Sequence, residues 1–316
     1  MNFKNLVYQS KWVLLSLLFV LAVNISFAQQ EEEVIELTEE ASQALADDDG
    51  KLPVSETWTT GVLIDNQTTE VPYAKTLEFI INHRFGKIKS IDDLFGIYAP
   101  SNIRLGLNYG ITNKLSVGVG TEKNNKLQDF EAKYQIISQT RDGKIPVTVT
   151  YYANMAIDTR DKEFFGNNYQ FTNRLSFFNQ ILVARKFTDA LSVQVAASYS
   201  HFNAITDTYL DHTNRYVAKW KNDYIGVMLA GRYKFTPSAA FIFEYCQPFS
   251  LDEAWEGQNE PLSNLGLGIE FGTGTHAFQV FAAQYDAIVP QMNYARNLND
   301  MGDGGWRLGF NIKVRF

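Results

Sequence analysis

Trp306-Arg307-Leu308-Gly309-Phe310-Asn311-Ile312-Lys313-Val314-Arg315-Phe316 closes the chain, with apolar side chains at every even position and polar residues or glycine between them. A period of two places one set of side chains on each face of a strand. Its length suits a tilted strand crossing a membrane, which takes about 9 to 11 residues. In a soluble sandwich the same pattern would leave a long apolar edge open to pairing, which folded proteins avoid. The pattern therefore predicts a closed sheet whose outer face meets lipid.

The same alternation recurs upstream. Leu77, Phe79, Ile81 and Phe85 alternate with Glu78, Asn82 and Arg84, interrupted by Ile80, and Ile103 to Ile111 alternate with Asn102, Arg104, Gly106, Asn108 and Gly110. Further strands are expected at Leu115–Val119, Phe130–Ile137, Val147–Met155, Leu175–Phe187, Leu191–His201, Ile225–Phe235, Ala239–Cys246, Leu265–Phe271 and Ala277–Tyr285. With the terminal one they make twelve. The links are expected to alternate between short turns such as Thr112-Asn113-Lys114, Thr188-Asp189-Ala190 and Thr236-Pro237-Ser238 and longer loops, with Glu122–Asp129 among the latter. This is the asymmetry of barrels with short periplasmic turns and long outer loops. The fold class expected is all-β: a transmembrane up-and-down antiparallel β-barrel of about twelve strands over residues 74–316, both ends periplasmic. Tyr109, Phe187, Phe235, Phe271 and Phe316 would form one interfacial girdle, and Tyr151, Tyr199, Phe202, Tyr224, Tyr245, Tyr285 and Trp306 the other.

At the other end of the chain, Lys4 and Lys11 precede an apolar run from Trp12 to Val23, followed by Ser26-Phe27-Ala28. This has the form of a secretory signal cleaved near Ala28. Its apolar core is too short for a spanning helix, which needs roughly 20 residues. Export to the outer membrane of a Gram-negative bacterium is the expected destination. The net charge of −7 hides an acidic block, Glu31 to Asp49, with nine carboxylates and no Lys or Arg. Residues 29–73 are expected to be a periplasmic lead, flexible in the main, although the less polar part from Trp58 to Tyr73 could instead enter the barrel as a plug.

Assigning the apolar parity to lipid turns Arg84, Arg104, Lys133, Arg174 and Arg232 inward, with Glu78, Glu131, Glu244 and Glu270 as their acidic counterparts. The energetic basis is that Arg or Lys facing lipid at mid-membrane costs about 2 to 4 kcal/mol. Lys186, Lys234, Arg307, Lys313 and Arg315 fall on the same parity, so a net basic interior is expected. Three outcomes stay open: an anion-preferring pore, a basic cavity occupied by the acidic N-terminal segment as a plug, or a narrow lumen closed by salt bridges and hydrogen bonds.

Chemistry finds little purchase. Cys246 is the single cysteine, which excludes an intrachain disulfide and zinc sites with two or more Cys ligands. No metal, cofactor or nucleic-acid partner is expected. Catalysis of the phospholipase kind needs a Ser–His pair, but Ser198 and Ser200 lie on the opposite parity from His201. Asn299, Asp300 and Asp303 do not match a known calcium loop.

Several stretches resemble a Bacteroidetes-type family of outer-membrane barrels of undetermined role: Gln67-Thr68, Thr76-Leu77-Glu78-Phe79, His83-Arg84-Phe85-Gly86, Leu94-Phe95-Gly96, Asn102-Ile103-Arg104-Leu105-Gly106, Tyr109-Gly110-Ile111-Thr112 and Gly309-Phe310-Asn311-Ile312. The resemblance implies a twelve-stranded barrel and carries no catalytic or ligand residues. The terminal strand, with Trp306, Leu308, Phe310, Ile312, Val314 and Phe316, also resembles the signal read by the barrel-assembly machinery during insertion into outer-membrane lipid. A passive channel for small, anionic solutes is the leading expectation. A structural or partner-binding envelope barrel and a carrier of hydrophobic compounds are the alternatives.

Overall fold

The computed structural model describes residues 51–89, 92, 94–210, 216–251 and 258–316. The expected signal and the acidic block fall outside the described residues. The barrel strands are β1 Leu77–Lys87, β2 Asn102–Thr112, β3 Leu115–Glu122, β4 Leu127–Ile137, β5 Thr148–Asp158 and β6 Leu175–Lys186. They continue as β7 Leu191–Phe202, β8 Asp223–Lys234, β9 Ala239–Ser250, β10 Asn264–Gly272, β11 His276–Ala283 and β12 Arg307–Arg315. Each strand pairs antiparallel with its sequence neighbours, and β12 pairs with β1 from Arg307↔Lys87 to Arg315↔Glu78, so the sheet closes as a twelve-stranded barrel. Closure leaves no sheet edge, the condition for strands to cross hydrocarbon. Among the described residues no helix is long and apolar enough to cross a membrane.

The alternation sorts residues as the hydrophobic effect requires. Leu105, Leu107, Val195, Val227, Leu229, Phe241 and Leu267 point out and are exposed, while Asn82, Arg84, Arg104, Gln194 and Glu244 are buried on the other face. A globular protein would reverse this distribution. Tyr109, Phe187, Phe235 and Phe316 are exposed at the short-turn end, and Tyr199 and Tyr245 on the outer face.

Three features depart from the sequence expectation. The β3–β4 link is not a long loop: β4 starts at Leu127, leaving only the turn Lys123–Lys126. Conversely, the β5 side of β4 carries a ten-residue link, 138–147, at the short-turn end. Phe202, Tyr224 and Tyr285 leave the outer girdle and turn inward, where they are buried. Tyr151 lies three residues from the start of β5, at the short-turn end.

Two segments outside the strands occupy the interior. An inserted hairpin pairs Val62 with Gln67 and Leu63 with Asn66. A helix of about two turns, α1 Pro290–Arg296, belongs to the loop between β11 and β12 and buries Pro290, Gln291, Asn293, Tyr294 and Ala295. Proline at its first turn loses no hydrogen bond, because that N–H has no intrahelical partner.

Candidate functional site

The hairpin is what fills the lumen. It enters at the short-turn end, where Val54 N donates to Gln139 O (2.8 Å) and Arg141 N to Leu52 O (3.1 Å), and it leaves there, where Ala74 N donates to Asn113 Oδ1 (2.9 Å). At its tip, Arg84 donates from Nε and Nη2 to Asp65 Oδ1 (2.9 and 2.7 Å) and from Nη2 to Ile64 O (2.9 Å). The same guanidinium lies 4.5 Å from the ring centroid of Phe281. Glu244 Oε2 accepts from Asp65 N and Asn66 N, and Asn311 Nδ2 donates to Ile64 O. Lower down, Gln194 forms a reciprocal pair, its Nε2 donating to Gln67 O and its Oε1 accepting from Thr69 N. Lys133 Nζ donates to Gly61 O and Glu70 O, and Lys313 Nζ to Thr59 O. Arg232 joins Glu270 Oε1 (2.8 Å) to Thr59 Oγ1 (2.6 Å). The backbone of the hairpin thus receives from the wall the partners that water would otherwise supply.

The lumen is packed through its depth. Lining residues of a water-filled pore are accessible to water, yet Glu78, Asn82, Arg84, Gln180, Gln194, Met228, Ile242, Glu270 and Gln279 are each at most 3% exposed. Where the hairpin does not reach, the wall closes on itself. Arg104 binds both oxygens of Asp129, and Glu131 accepts from Tyr152 OH (2.7 Å). At the base, Arg315 pairs with Glu78.

Above the hairpin tip sits α1. Its Tyr294 OH donates to Asn66 Oδ1 (2.6 Å), so the two inserted segments touch. The ring of Tyr294 lies over Gly226, where a Cβ would come within 2.3 Å of it, and Ile64 lies over Gly266 at a 2.9 Å approach. The start of α1 is held by Glu122, which accepts from Ile288 N (3.2 Å) and Val289 N (2.7 Å). On the far side of α1 is a cavity of about 380 Å³. Leu127, Phe165, Leu175, Phe202, Trp220 and Met292 give it apolar walls, and Asp158, Arg160, Arg174, Asp207, Asp286 and Arg296 add charge.

A family model described as the membrane bound beta barrel domain (DUF5777) matches residues 59–316. The chain belongs to this family. The match begins at residue 59 and so includes the inserted hairpin. No curated protein sequence matches the chain. Among solved structures, it is similar to an outer membrane channel from Pseudomonas putida F1 (10% identity, 78% of this chain and 97% of that one, TM-score 0.48). It is also similar to the KdgM porin (10% identity, 76% and 99% covered, TM-score 0.41).

In this DUF5777 barrel, Glu78, Arg84, Arg104, Lys133, Glu131, Arg232, Glu244 and Glu270 lie on the inward face of their strands. Arg174 does not. It precedes β6 on a short 3-10 turn, stacks on Phe165 and Tyr169, and donates to the carbonyls of Asp158 and Arg160 at the wide end. The expected basic excess of the interior shrinks as well. Asp129 and Glu122 face inward from positions that alternation assigned to a loop, and Asp65 enters with the hairpin. The outer cavity was not legible, because Phe165, Asp207, Trp220 and Arg296 come from loops without periodicity. His201 Nδ1 lies 2.7 Å from Asp223 Oδ1, which also accepts from Tyr199 OH, while Ser200 is buried on the opposite face. Among the described residues no cluster of His, Cys, Asp and Glu is arranged to hold a metal ion.

Proposed function

We propose that this chain is a porin-like channel of the outer membrane that its own hairpin keeps shut, and that small polar solutes pass when residues 58–71 leave the lumen. The observation that carries this reading is that charges and amides of the wall hold the hairpin backbone, while Trp58, Leu63 and Ile64 are the hairpin side chains that join the buried apolar cluster of Leu182, Met228, Ile242 and Phe281. Water can replace the polar partners at a net cost of about 0.5–1.5 kcal/mol per hydrogen bond, and exposing the apolar side chains adds about 1.5–3 kcal/mol each, so opening has a finite cost that the polar share keeps low. Once vacated, the wall would present Arg84, Arg104, Lys133, Arg232, Lys313 and Arg315 against Glu78, Glu122, Asp129, Glu131, Glu244 and Glu270. The near balance favours selection by size with slight anion preference from Lys186 and Lys234 at the mouth. Export and insertion follow the route expected from the sequence, with the terminal strand from Trp306 to Phe316 offered to the assembly machinery.

The chain contains its own test. Asn66 Nδ2 at the hairpin tip lies 2.9 Å from Sγ of Cys246, the single cysteine. Asn66→Cys therefore places two thiols side by side. In planar bilayers, channel openings are expected to vanish when this variant is oxidised and to return with dithiothreitol. Conductance indifferent to redox state, or absent in both states, overturns the reading in favour of a structural barrel.

A further inference from the structure

Most charges lining the outer cavity are already matched. Arg160 binds both oxygens of Asp158 and stacks on Phe164, and Arg174 ends on two carbonyls and on Tyr169 OH. Asp286 faces Arg307 at 3.5 Å, and Glu122 accepts from Asn102 and from the backbone before α1. Arg296 differs. Its guanidinium lies 4.9 Å from the ring centroids of both Phe202 and Trp220, themselves buried. Its Nε and Nη1 are buried without a hydrogen-bond partner. The carboxylate facing it, that of Asp207, stands 4.0 Å away on a largely exposed side chain. Burial pushes the guanidinium down to about 10, a sign that its charge is under-compensated where it stands.

We propose that the outer cavity binds a small organic carboxylate, its charged end on Arg296 and its apolar body against Phe165, Leu175 and Met292. Stacking between two rings fixes the plane of the guanidinium before any ligand arrives, so little side-chain freedom is lost on binding. The fork geometry of that group suits a carboxylate, with two parallel charge-assisted bonds. The volume is at the small end of the roughly 300–1,000 Å³ typical of ligand pockets, which fits a single-ring acid and not a polymer. As the solute class of the channel, this assignment rests on the transport reading; as a binding site, it does not.

Calorimetric titration of the detergent-solubilised mature chain separates the possibilities, with benzoate, benzamide and inorganic phosphate as probes. Benzoate is expected to bind, and both benzamide and phosphate to bind at least about tenfold more weakly, the scale of one charge-assisted hydrogen bond. Arg296→Gln is expected to lower benzoate affinity by about tenfold or more, while Arg185→Gln, at the short-turn end of β6 and outside the cavity lining, leaves it unchanged. Heat-dependent gel mobility reports that each barrel is folded. Should Arg296→Gln not fold, Arg296→Lys replaces it, with an intermediate loss expected because the charge stays and the fork goes. Undetectable benzoate binding, equal affinity for benzamide or phosphate, or full affinity in the Arg296 variant overturns the site. Benzoate binding without any bilayer conductance removes the channel reading and leaves the site standing; conductance without benzoate binding does the reverse.

Discussion

Around the inserted hairpin, Arg84, Lys133, Arg232 and Lys313 all end on acceptors that the hairpin supplies, whereas around α1 both side-chain polar atoms of Asn293, Oε1 of Gln291 and two nitrogens of Arg296 are buried without a partner. Both segments fill the same lumen, one from each end. The hairpin segment leaves two buried polar atoms without partners, Trp58 Nε1 and Asp65 Oδ2, against five on α1, which is matched at its start by Glu122, through Gln291 Nε2 by Asn154 and Ser176, and through Tyr294 by Asn66. Buried polar groups without partners cost about 1–3 kcal/mol each, so the two closures differ in how firmly they are held. The difference teaches that filling a lumen and sealing it are separate tasks, and that α1 is the segment expected to move at lower cost.

The most severe test of that contrast is Arg84→Ala. It leaves Asp65 buried without its cation, a loss on the order of 3–5 kcal/mol for a broken buried pair. Residues 51–73 are then expected to become sensitive to limited proteolysis, and unchanged protection would erase the claimed advantage of the hairpin. Glu122→Ala comes next, at about 1–3 kcal/mol for the two backbone bonds it accepts. Amide exchange across 288–296 should accelerate while the hairpin amides stay protected; equal acceleration in both would mean the two closures are one unit. Tyr294→Phe removes the bond to Asn66 and should cost about 1 kcal/mol, which sharpens the comparison by measuring how much one segment stabilises the other.

The smallest effect belongs to the mouth, where Lys234 Nζ donates to Glu56 Oε2 at 2.7 Å and holds that carboxyl below its ordinary value. With a lowered native value, the contribution is complete above the ordinary carboxylate range and disappears as pH falls through the lowered one. The pair is exposed on the Glu56 side, so Glu56→Gln should cost at most about 0.2–1 kcal/mol. Chemical denaturation at neutral and acidic pH would show it, the difference between variant and parent closing on acidification.

Alternation made the twelve strands legible because lipid imposes a strict rule on every second residue. It failed where that rule is weak. Leu127-Gln128-Asp129 reads as polar loop, yet it opens β4, because an inward Asp129 is satisfied by Arg104, which reaches it over Gly120 of the intervening strand β3. Phe202, Tyr224 and Tyr285 read as girdle residues but fall on the inward parity, where α1 and the outer cavity give them apolar cover. The hairpin was the hardest to place. Residues 58–73 carry no period, since their surroundings mix polar groups with an apolar cluster around Trp58, Leu63 and Ile64, and much of their burial is achieved through backbone groups whose identity the sequence does not display. Asp65 could have been noticed as a carboxylate within reach of a basic interior, but only the fold brings it to Arg84.

Because both arms of the hairpin pass through one mouth, the segment 51–74 enters the ring of strands without threading it. Tension applied at residue 51 would peel contacts in succession, first Val54 with Gln139, then Thr59 with Lys313 and Arg232, and last the tip at Asp65. Contacts that yield one after another resist far less than contacts sheared together, so a modest pull from one side would suffice to empty a ring that withstands equilibrium fluctuation.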